Sequence, residues 1–344
     1  MYRIVPEEFI VTGNKWGRGC VSRASMSTQA LENPILRSGG KSTGFVLLAV
    51  YVVVYAATLY AMVRFGQFEA GEALTVLVVL GIGFSLAAWL LTIGVKPLPY
   101  RVLEPEREVT TLFAYLVPLV AFITFGFSAV HRYVTAEPAG SLVILAAKLA
   151  VFVVIPAWIM VARFGYKFAE LAPMSTNTSQ ILVFIGMSLV LVIFQAVAGR
   201  GMRDIAAAHV PSDRLVFGVP LVFLWLVLEV GVVEEFFFRA LLQSRLSAAL
   251  RSELGGIVLM ALIFGLVHAP GLYLRTSATQ EGLSAHPTFL MAVGYSIVIT
   301  SVAGFFLGVL WARTRNFLVL MLVHAATDLL PNTLPTLHAF HLLK

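Results

Sequence analysis

The chain has 344 residues, of which 59% are hydrophobic and 12% are charged, and its mean hydropathy is +0.90. This composition excludes a soluble domain of the same length and indicates a membrane protein whose surroundings are a lipid bilayer. The net charge of +6 is not concentrated in any basic cluster, which excludes nucleic acid as a partner.

The first 43 residues are polar and of mixed charge, and they lack the short apolar core of a secretory signal peptide. We therefore predict a polar N-terminal tail over residues 1–43. Cys20, the single cysteine of the chain, lies in this tail. It excludes a disulfide within the chain and a thiolate metal site.

Apolar runs close to the roughly 20 residues that span a bilayer follow the tail, at 44–64, 73–95, 110–130, 141–162, 181–198, 214–240, 255–270, 288–312 and 316–330. The runs 255–270 and 316–330 are short, and a buried interior helix or a re-entrant segment would have the same pattern. We predict an all-α polytopic membrane protein with about eight to ten transmembrane helices, about five of them within residues 44–213.

The distribution of Lys and Arg predicts the orientation. If the tail is cytoplasmic and nine helices alternate, the inner loops and the tail hold more basic residues than the outer loops, as the positive-inside bias requires. We expect a multi-pass protein of a bacterial plasma membrane with a cytoplasmic N-terminus. A second polar tail is predicted at 331–344, after the last apolar run.

Residues 234–239 read Glu-Glu-Phe-Phe-Phe-Arg inside the longest apolar segment. Charge at membrane depth is costly unless it is paired or hydrated, so these residues are candidates for function. Neighbours on a helix point about 100° apart, which prevents Glu234 and Glu235 from facing one cavity together. Glu235 and Arg239, four residues apart, share a face and are predicted to pair. Taken alone, a buried structural ion cluster explains these residues equally well.

Two further polar groups follow on separate apolar helices, Phe264-Gly-Leu-Val-His268 and His324-Ala-Ala-Thr-Asp328. Each alone is typical of a hydrogen-bonded core residue, and His324 and Asp328, one turn apart, can satisfy each other. Counting about 1.5 Å per residue from the turns places Glu234 level with His268. His324 reaches them near the bilayer midplane if the polar end of the 214–250 helix protrudes from the membrane. Together the groups predict a polar cavity within a four-helix core at 214–330.

Small residues recur at every fourth position on the helix between the two histidines. Such a ridge lets neighbouring helix backbones approach closely, and we interpret it as a packing surface. Its members are Ala292, Ser296, Thr300, Gly304, Gly308 and Ala312.

The ordered motifs Glu-Glu-x-x-x-Arg, Phe-x-x-x-His and His-x-x-x-Asp, on successive membrane helices, resemble those of the type II CAAX prenyl endopeptidases, also called the CPBP or abortive-infection (ABI) intramembrane proteases. The resemblance covers about a third of the chain. It implies that Glu234 is the general base on a water held jointly with His268. It further implies that Glu235, Arg239 and Phe264 support this site.

The resemblance also implies that His324 and Asp328 face the substrate carbonyl oxygen and stabilise the tetrahedral intermediate. The chain departs from the family at Asp328, where eukaryotic and archaeal members place Asn, because an ionised Asp cannot donate a hydrogen bond. Asp328 is therefore expected either to be protonated or to orient His324 by accepting its second N–H. We favour orientation.

These residue types suit peptide hydrolysis near neutral pH. The sequence thus predicts an intramembrane endopeptidase acting on a protein or peptide substrate, with or without lipid modification. The residues Glu234, His268, His324 and Asp328 are also suitable ligands for Zn²⁺ or another divalent metal. Because the chain has no His-Glu-x-x-His pair, we favour catalysis by glutamate without a cofactor.

Two other functions stay open at this point. In a proton-coupled or ion-coupled transporter, Glu229, Glu234, Glu235 and the histidines would relay protons, and this function would also explain why Lys148 and Glu229 lie within apolar runs. The sequence shows no internal repeat of the kind that transporters usually have. In a non-catalytic membrane protein of the bacteriocin-immunity type, motif variants would keep their phenotype.

Overall fold

The computed structural model describes residues 41–66, 68–274, 283–284 and 286–343. All regular structure in these residues is helical, which confirms the all-α prediction. Most of the predicted N-terminal tail, with Cys20, lies outside them, and residues 41–43 belong to the first helix. The eleven helices of this described part are α1 (Lys41–Gly66), α2 (Ala70–Leu91), α3 (Pro105–Tyr133), α4 (Ala139–Phe164), α5 (Phe168–Leu171), α6 (Thr178–Ala198), α7 (Arg200–Ala207), α8 (Ser212–Ala249), α9 (Glu253–Tyr273), α10 (Phe289–Thr314) and α11 (Phe317–Ala339).

Within the described ranges, 9 of these helices, all except α5 and α7, are long and apolar enough to cross a membrane. The chain is therefore a multi-pass integral membrane protein. The two short apolar runs become the full-length helices α9 and α11, which are mostly buried by protein. Helices α1 and α3 expose most of their apolar surface, as expected of helices that face lipid. The core of the molecule thus consists of the C-terminal helices.

The small-residue ridge of α10 packs against α9. A Cβ atom added at Gly304 would lie 3.0 Å from the ring of Phe264, and one added at Gly265 would lie 2.4 Å from the carbonyl oxygen of Ser296. Such short distances mean that the helices are in contact through their backbones, as small residues permit in membranes. The interpretation of the ridge as a packing surface agrees with this arrangement.

Helix α11 continues past residue 330, where the sequence placed the start of a polar tail. It runs through Pro331 and Pro335 to Ala339. Each proline leaves the carbonyl oxygen four residues earlier, that of Thr327 or of Pro331, without its helical donor. In the same turns the amide of Asn332 donates to the carbonyl oxygen of Asp328 (2.9 Å), and the hydroxyl of Thr333 donates to that of Leu329 (2.8 Å), so these bonds are additional and do not replace the missing ones. The predicted tail boundary therefore does not describe the structure.

The polar end of α8 is enclosed by protein, and its position outside the membrane stays a prediction. Nε of Arg245 donates to Oε2 of Glu108 at 2.9 Å, and both side chains are buried. The hydroxyl of Tyr166 also donates to Glu108, at 2.9 Å. The amide of Gln243 donates to the carbonyl oxygen of Gly308 at 2.9 Å. Partners on α3 and α10, which are distant in sequence, accept these bonds inside the molecule, while Nη2 of Arg245 and Oε1 of Gln243 have no hydrogen-bond partner among the described residues.

Candidate active site

Helix α8 carries the two adjacent carboxylates at a break in its winding. Two stretches of the helix, Val227–Val232 and Glu235–Gln243, are wound as π-helix, and Glu234 lies at the junction that separates them. Such wide turns are rare and are frequent at functional sites, although the structure also has them at Leu77–Phe84, Ala150–Val154 and Ser296–Thr300. The side chain of Glu235 is fully buried, whereas Glu234 is partly exposed. The two carboxylates thus differ in surroundings, as the helical spacing predicted.

Glu235 joins α8 to α11. Its Oε1 atom lies 3.1 Å from Nη1 of Arg239 and 2.6 Å from Nδ1 of His324. The predicted pairing of Glu235 with Arg239 is present, and the contact with His324 is additional. The two helices approach this closely because residue 231 is glycine, where a Cβ atom would lie 2.4 Å from the carbonyl oxygen of Met321.

The contact with Glu235 determines the orientation of the His324 ring. An ionised carboxylate can only accept, so Nδ1 of His324 is the donor and Nε2 is free. Asp328 was expected to orient this ring, but its Oδ2 lies 3.9 Å from Nε2, beyond hydrogen-bond distance. Glu235 performs the orienting role instead. Because Asp328 is four residues from His324 and Glu235 is 89 residues away, local spacing favoured the wrong partner.

Arg239 is enclosed by aromatic rings. Its guanidinium carbon lies 4.0 Å from the ring centroid of Phe264 and 6.0 Å from that of Phe238. Among the described residues, its Nε, Nη1 and Nη2 atoms have no hydrogen-bond acceptor of good geometry, so the ion pair with Glu235 and the ring faces compensate for its charge. The ring of Phe264 also lies 4.7 Å from that of His268. Phe264 therefore contacts both Arg239 and His268, and its supporting role stays a prediction.

His268 is held by its own helix. Its Nδ1 atom lies 2.7 Å from the carbonyl oxygen of Phe264, one turn earlier on α9. A carbonyl oxygen can only accept, so Nδ1 is the donor, and in the neutral ring Nε2 is an acceptor. The side chain is partly exposed. His268 thus offers a basic nitrogen to any water or ligand beside it.

Helices α8, α9 and α11 bring the predicted residues together around Asp328. Its Oδ2 atom lies 3.9 Å from Nε2 of His324, whose Nδ1 contacts Glu235 of α8 and whose ring centroid lies 6.5 Å from that of Phe264 on α9. Its side chain is 33% exposed, which leaves it accessible to a ligand. Three helices, separated by up to about 90 residues in the chain, therefore supply one polar site.

Glu229 is a further charged residue of α8 that the motifs did not include. Its Oε1 atom lies 2.6 Å from Nζ of Lys148 on α4. The sequence signal that could have identified these two residues is that both charges lie within apolar runs. Their pairing across 81 residues required the folded chain.

The side chains predicted as candidate metal ligands are only partly suited to binding a metal ion. Both site histidines use Nδ1 for a fixed hydrogen bond and keep Nε2 free, an arrangement common among metal-binding histidines. However, no group of three or more His, Cys, Asp and Glu side chains in the described ranges is placed to hold a metal ion. We therefore derive no step through a metal.

Residues 216–330 match the family model described as type II CAAX prenyl endopeptidase Rce1-like. The matched segment runs from α8 into α11 and contains all three motifs. It confirms the family resemblance recognised from those motifs, over about a third of the chain. No curated protein and no solved structure matches the chain.

Proposed function

We propose that this protein, whose α8–α11 core matches the type II CAAX prenyl endopeptidases, is an intramembrane endopeptidase in which Glu234 and His268 activate a water. The proposal rests on the difference in burial and contacts between the two carboxylates. Glu235 is buried and contacts Arg239 and His324, whereas Glu234 is partly exposed. Only Glu234 is free to exchange protons with a bound water.

The first chemical step joins this water to the substrate. Glu234 and Nε2 of His268 hold the water, and Glu234 takes one of its protons as the oxygen attacks the peptide carbonyl carbon. The carbonyl π bond breaks and places negative charge on its oxygen. Glu234 then delivers the proton to the leaving amine as the peptide C–N bond breaks, which restores the carboxylate.

His324 stabilises the charge that develops on the carbonyl oxygen. With both ring nitrogens protonated, Nε2 donates to this oxygen, while Glu235 balances the charge of the ring through Nδ1. The distance of 3.9 Å from Nε2 to Oδ2 of Asp328 lets one oxygen atom lie within hydrogen-bond reach of both groups. In its protonated form Asp328 would be the second donor, which is the role that Asn can fill.

The proposed substrate is a protein or peptide at the membrane, with or without a lipid modification. The proposed location is the plasma membrane of a bacterium, with the N-terminus in the cytoplasm. Glutamate catalysis without a cofactor is part of the proposal. The excess of Lys and Arg in the predicted inner loops supports the orientation, and the lack of a His-Glu-x-x-His pair in the sequence supports catalysis without a metal.

A cleavage assay in detergent on a library of prenylated and unprenylated peptides tests the mechanism. Replacing Glu234 by Gln removes the base and keeps the shape, so we expect a rate lower by about 10²–10⁴-fold, with His268→Ala similarly affected. Glu106→Gln, at an exposed position of α3, is the control and should cleave as wild type does. Unchanged cleavage by Glu234→Gln would refute the mechanism. Activity that a chelator removes and zinc restores would contradict catalysis without a metal.

The transporter alternative rested on Lys148 and Glu229. These residues pair with each other at 2.6 Å, so neither requires a transported ion to explain its presence in the membrane. Ion uptake into liposomes that hold the purified protein tests this alternative directly. A non-catalytic immunity role would be indicated by Glu234→Gln cells that keep the wild-type phenotype.

A further inference from the structure

A single buried glutamine of α6 bonds to the backbone of α11 beside the candidate site. The side-chain amide of Gln195 donates to the carbonyl oxygen of Ala326 at 2.9 Å, and its Oε1 atom accepts from the N–H of Leu330 at 3.3 Å. Only 7% of the residue is exposed. Gln195 precedes the segment that matches the family model, and neither the three motifs nor the mechanism above uses it.

The two groups that Gln195 bonds are the two ends of one helical turn. In an α-helix the N–H of each residue bonds to the carbonyl oxygen four residues earlier, so the N–H of Leu330 and the carbonyl oxygen of Ala326 are a donor and an acceptor of the α11 backbone. One side chain therefore contacts both of them, the donor through Oε1 and the acceptor through Nε2. Asp328 is the central residue of this turn. The position of its backbone depends on the bonds at both ends.

This turn of α11 lacks part of the support that a regular helix has. Because Pro331 has no N–H, the carbonyl oxygen of Thr327 has no helical donor. The carbonyl oxygen that Gln195 bonds, that of Ala326, is the one directly before it. Helices bend most readily where a proline interrupts their backbone hydrogen bonds. A bond from a neighbouring helix at this point therefore fixes a segment that the α11 backbone alone holds weakly.

The start of α7 contacts the same segment. A Cβ atom added at Gly201 would lie 2.4 Å from the carbonyl carbon of Leu330 and 2.5 Å from the nitrogen of Pro331. Only a residue without a side chain permits this approach. The end of α6 and the start of α7 thus hold residues 326–331 of α11 by one hydrogen-bonding side chain and one backbone contact.

The segment held in this way carries a group of the proposed mechanism. Oδ2 of Asp328 lies 3.9 Å from Nε2 of His324, one turn earlier on α11, and at this distance one substrate oxygen can bond both groups. His324 precedes the interrupted turn and is held by Glu235 of α8 at 2.6 Å. Asp328 lies within that turn and is held through its backbone by Gln195 of α6. A bend of α11 between them would change their separation.

We propose that Gln195 is a positioning residue that holds Asp328 at the distance from His324 at which both can bond the carbonyl oxygen of the substrate. The inference rests on the proposed function, in which these two groups stabilise the charge that develops on that oxygen. It gives α6, a helix outside the segment that matches the family model, a part in the reaction. Gln195 acts through the backbone of α11, so its loss slows the reaction of the bound substrate and leaves substrate binding unchanged.

A second glutamine of α6 provides a matched control. Glutamines of membrane helices also bond to neighbouring helices for stability alone. Gln180 has this arrangement, because it is fully buried and its amide donates to the carbonyl oxygens of Lys96 at 3.3 Å and Thr314 at 3.5 Å. It lies in the first turn of α6, about 22 Å from Gln195 along the helix at 1.5 Å per residue. Replacing either glutamine by Leu removes interhelical bonds, but only one of the two changes reaches the turn at Asp328.

The test measures kcat and KM of the two Leu variants in the peptide-cleavage assay. We expect Gln195→Leu to lower kcat about 10–100-fold, since a displacement of about 1 Å at a reacting group has an effect of this size, with KM within about twofold of wild type. Gln180→Leu should keep the wild-type kcat. Gln195→Asn keeps the amide but is one methylene shorter and cannot bond both groups. Its kcat should lie between those of wild type and Gln195→Leu, and it decides the test if the Leu variant does not fold.

Hydrogen exchange of the Leu330 amide measures the contact itself, independently of cleavage. We expect this amide to exchange at least about fivefold faster in Gln195→Leu than in Gln180→Leu. Equal exchange in the two variants, a wild-type kcat in Gln195→Leu, or equal losses of kcat in both Leu variants would overturn the inference. The proposed function would stand in each case if wild type cleaves and Glu234→Gln does not. If wild type cleaves no peptide, the proposed function fails and the inference fails with it.

Discussion

Replacing Glu235 by Gln separates the roles of the two adjacent carboxylates. Arg239 is fully buried, and within the described ranges its ion-pair partner is Glu235, at 3.1 Å. Removing one member of a buried ion pair leaves a charge uncompensated and costs about 3–5 kcal/mol. We expect Glu235→Gln to lower the free energy of unfolding by an amount in that range, the lower end being favoured because the Phe264 ring still faces the guanidinium.

A second substitution shows whether this loss comes from the charge. In Glu235→Gln/Arg239→Met both charges are gone, and replacing a buried ion pair by neutral groups of similar volume is often neutral for stability. The double variant should therefore regain most of the lost stability. It still lacks the charge that faces Nδ1 of His324. We expect its cleavage rate to be lower than wild type by about 10–100-fold, the usual effect of losing a partner that orients a site histidine.

Glu234→Gln is the matched comparison, since it makes the same chemical change one residue earlier. Its side chain is partly exposed, so the free energy of unfolding should change by no more than about 0.5 kcal/mol, while cleavage is lost. Stability is measured by unfolding in mixed micelles, and activity by peptide cleavage on the same preparations. A Glu235→Gln protein as stable as wild type, or a double variant as unstable as the single one, would refute this account of Glu235.

Two further predictions concern packing and pH. In Gly231→Ala the added Cβ would lie 2.4 Å from the carbonyl oxygen of Met321, so we expect a destabilisation of about 1–3 kcal/mol together with lower cleavage as α8 and α11 separate. Gly271→Ala, which has nothing within 4 Å, is the control and should be neutral or slightly stabilising in the same unfolding assay. Burial raises the pKa of Tyr166, in the loop after α4, from 10.0 to about 12. Its contribution to stability is thus fully present below pH 10 and is lost as the pH rises through 12. Unfolding measured across this interval should depend less on pH in Tyr166→Phe than in wild type, and equal dependence would contradict the assignment.

The helices that cross the membrane were predictable from the sequence because hydropathy reports the free energy of placing each residue in lipid. Every apolar run corresponds to a spanning helix among the described residues, including the short runs at 255–270 and 316–330. The end of α11 was not predictable, because Pro331 and Pro335 are usually signs of a helix end. Their place inside the helix depends on the chain around α11, since a Cβ atom added at Gly201 of α7 would lie 2.5 Å from the nitrogen of Pro331.

The buried polar groups were predictable one by one, but most of their partners were not. Helical spacing correctly paired Glu235 with Arg239, which are four residues apart. The same reasoning paired His324 with Asp328, whereas the bonded partner of His324 is Glu235 on another helix. Arg245, near the polar end of α8, is buried against Glu108 on α3, a partner that helical spacing does not indicate. Spacing describes one helix and carries no information on which helices touch.

The sequence by itself determined that this is a helical membrane protein and that its C-terminal third carries the motifs of an intramembrane protease family. Both follow from properties that local sequence encodes, namely the transfer free energy of apolar runs and the order of residue types at helical spacing. Only the packing of the helices determined which charged side chains form pairs. The backbone contact at Gly231 brings Glu235 to His324, and the approach of α4 to α8 brings Lys148 to Glu229. In the membrane a charge must find a partner or water, and helices distant in the chain supply those partners only after they pack.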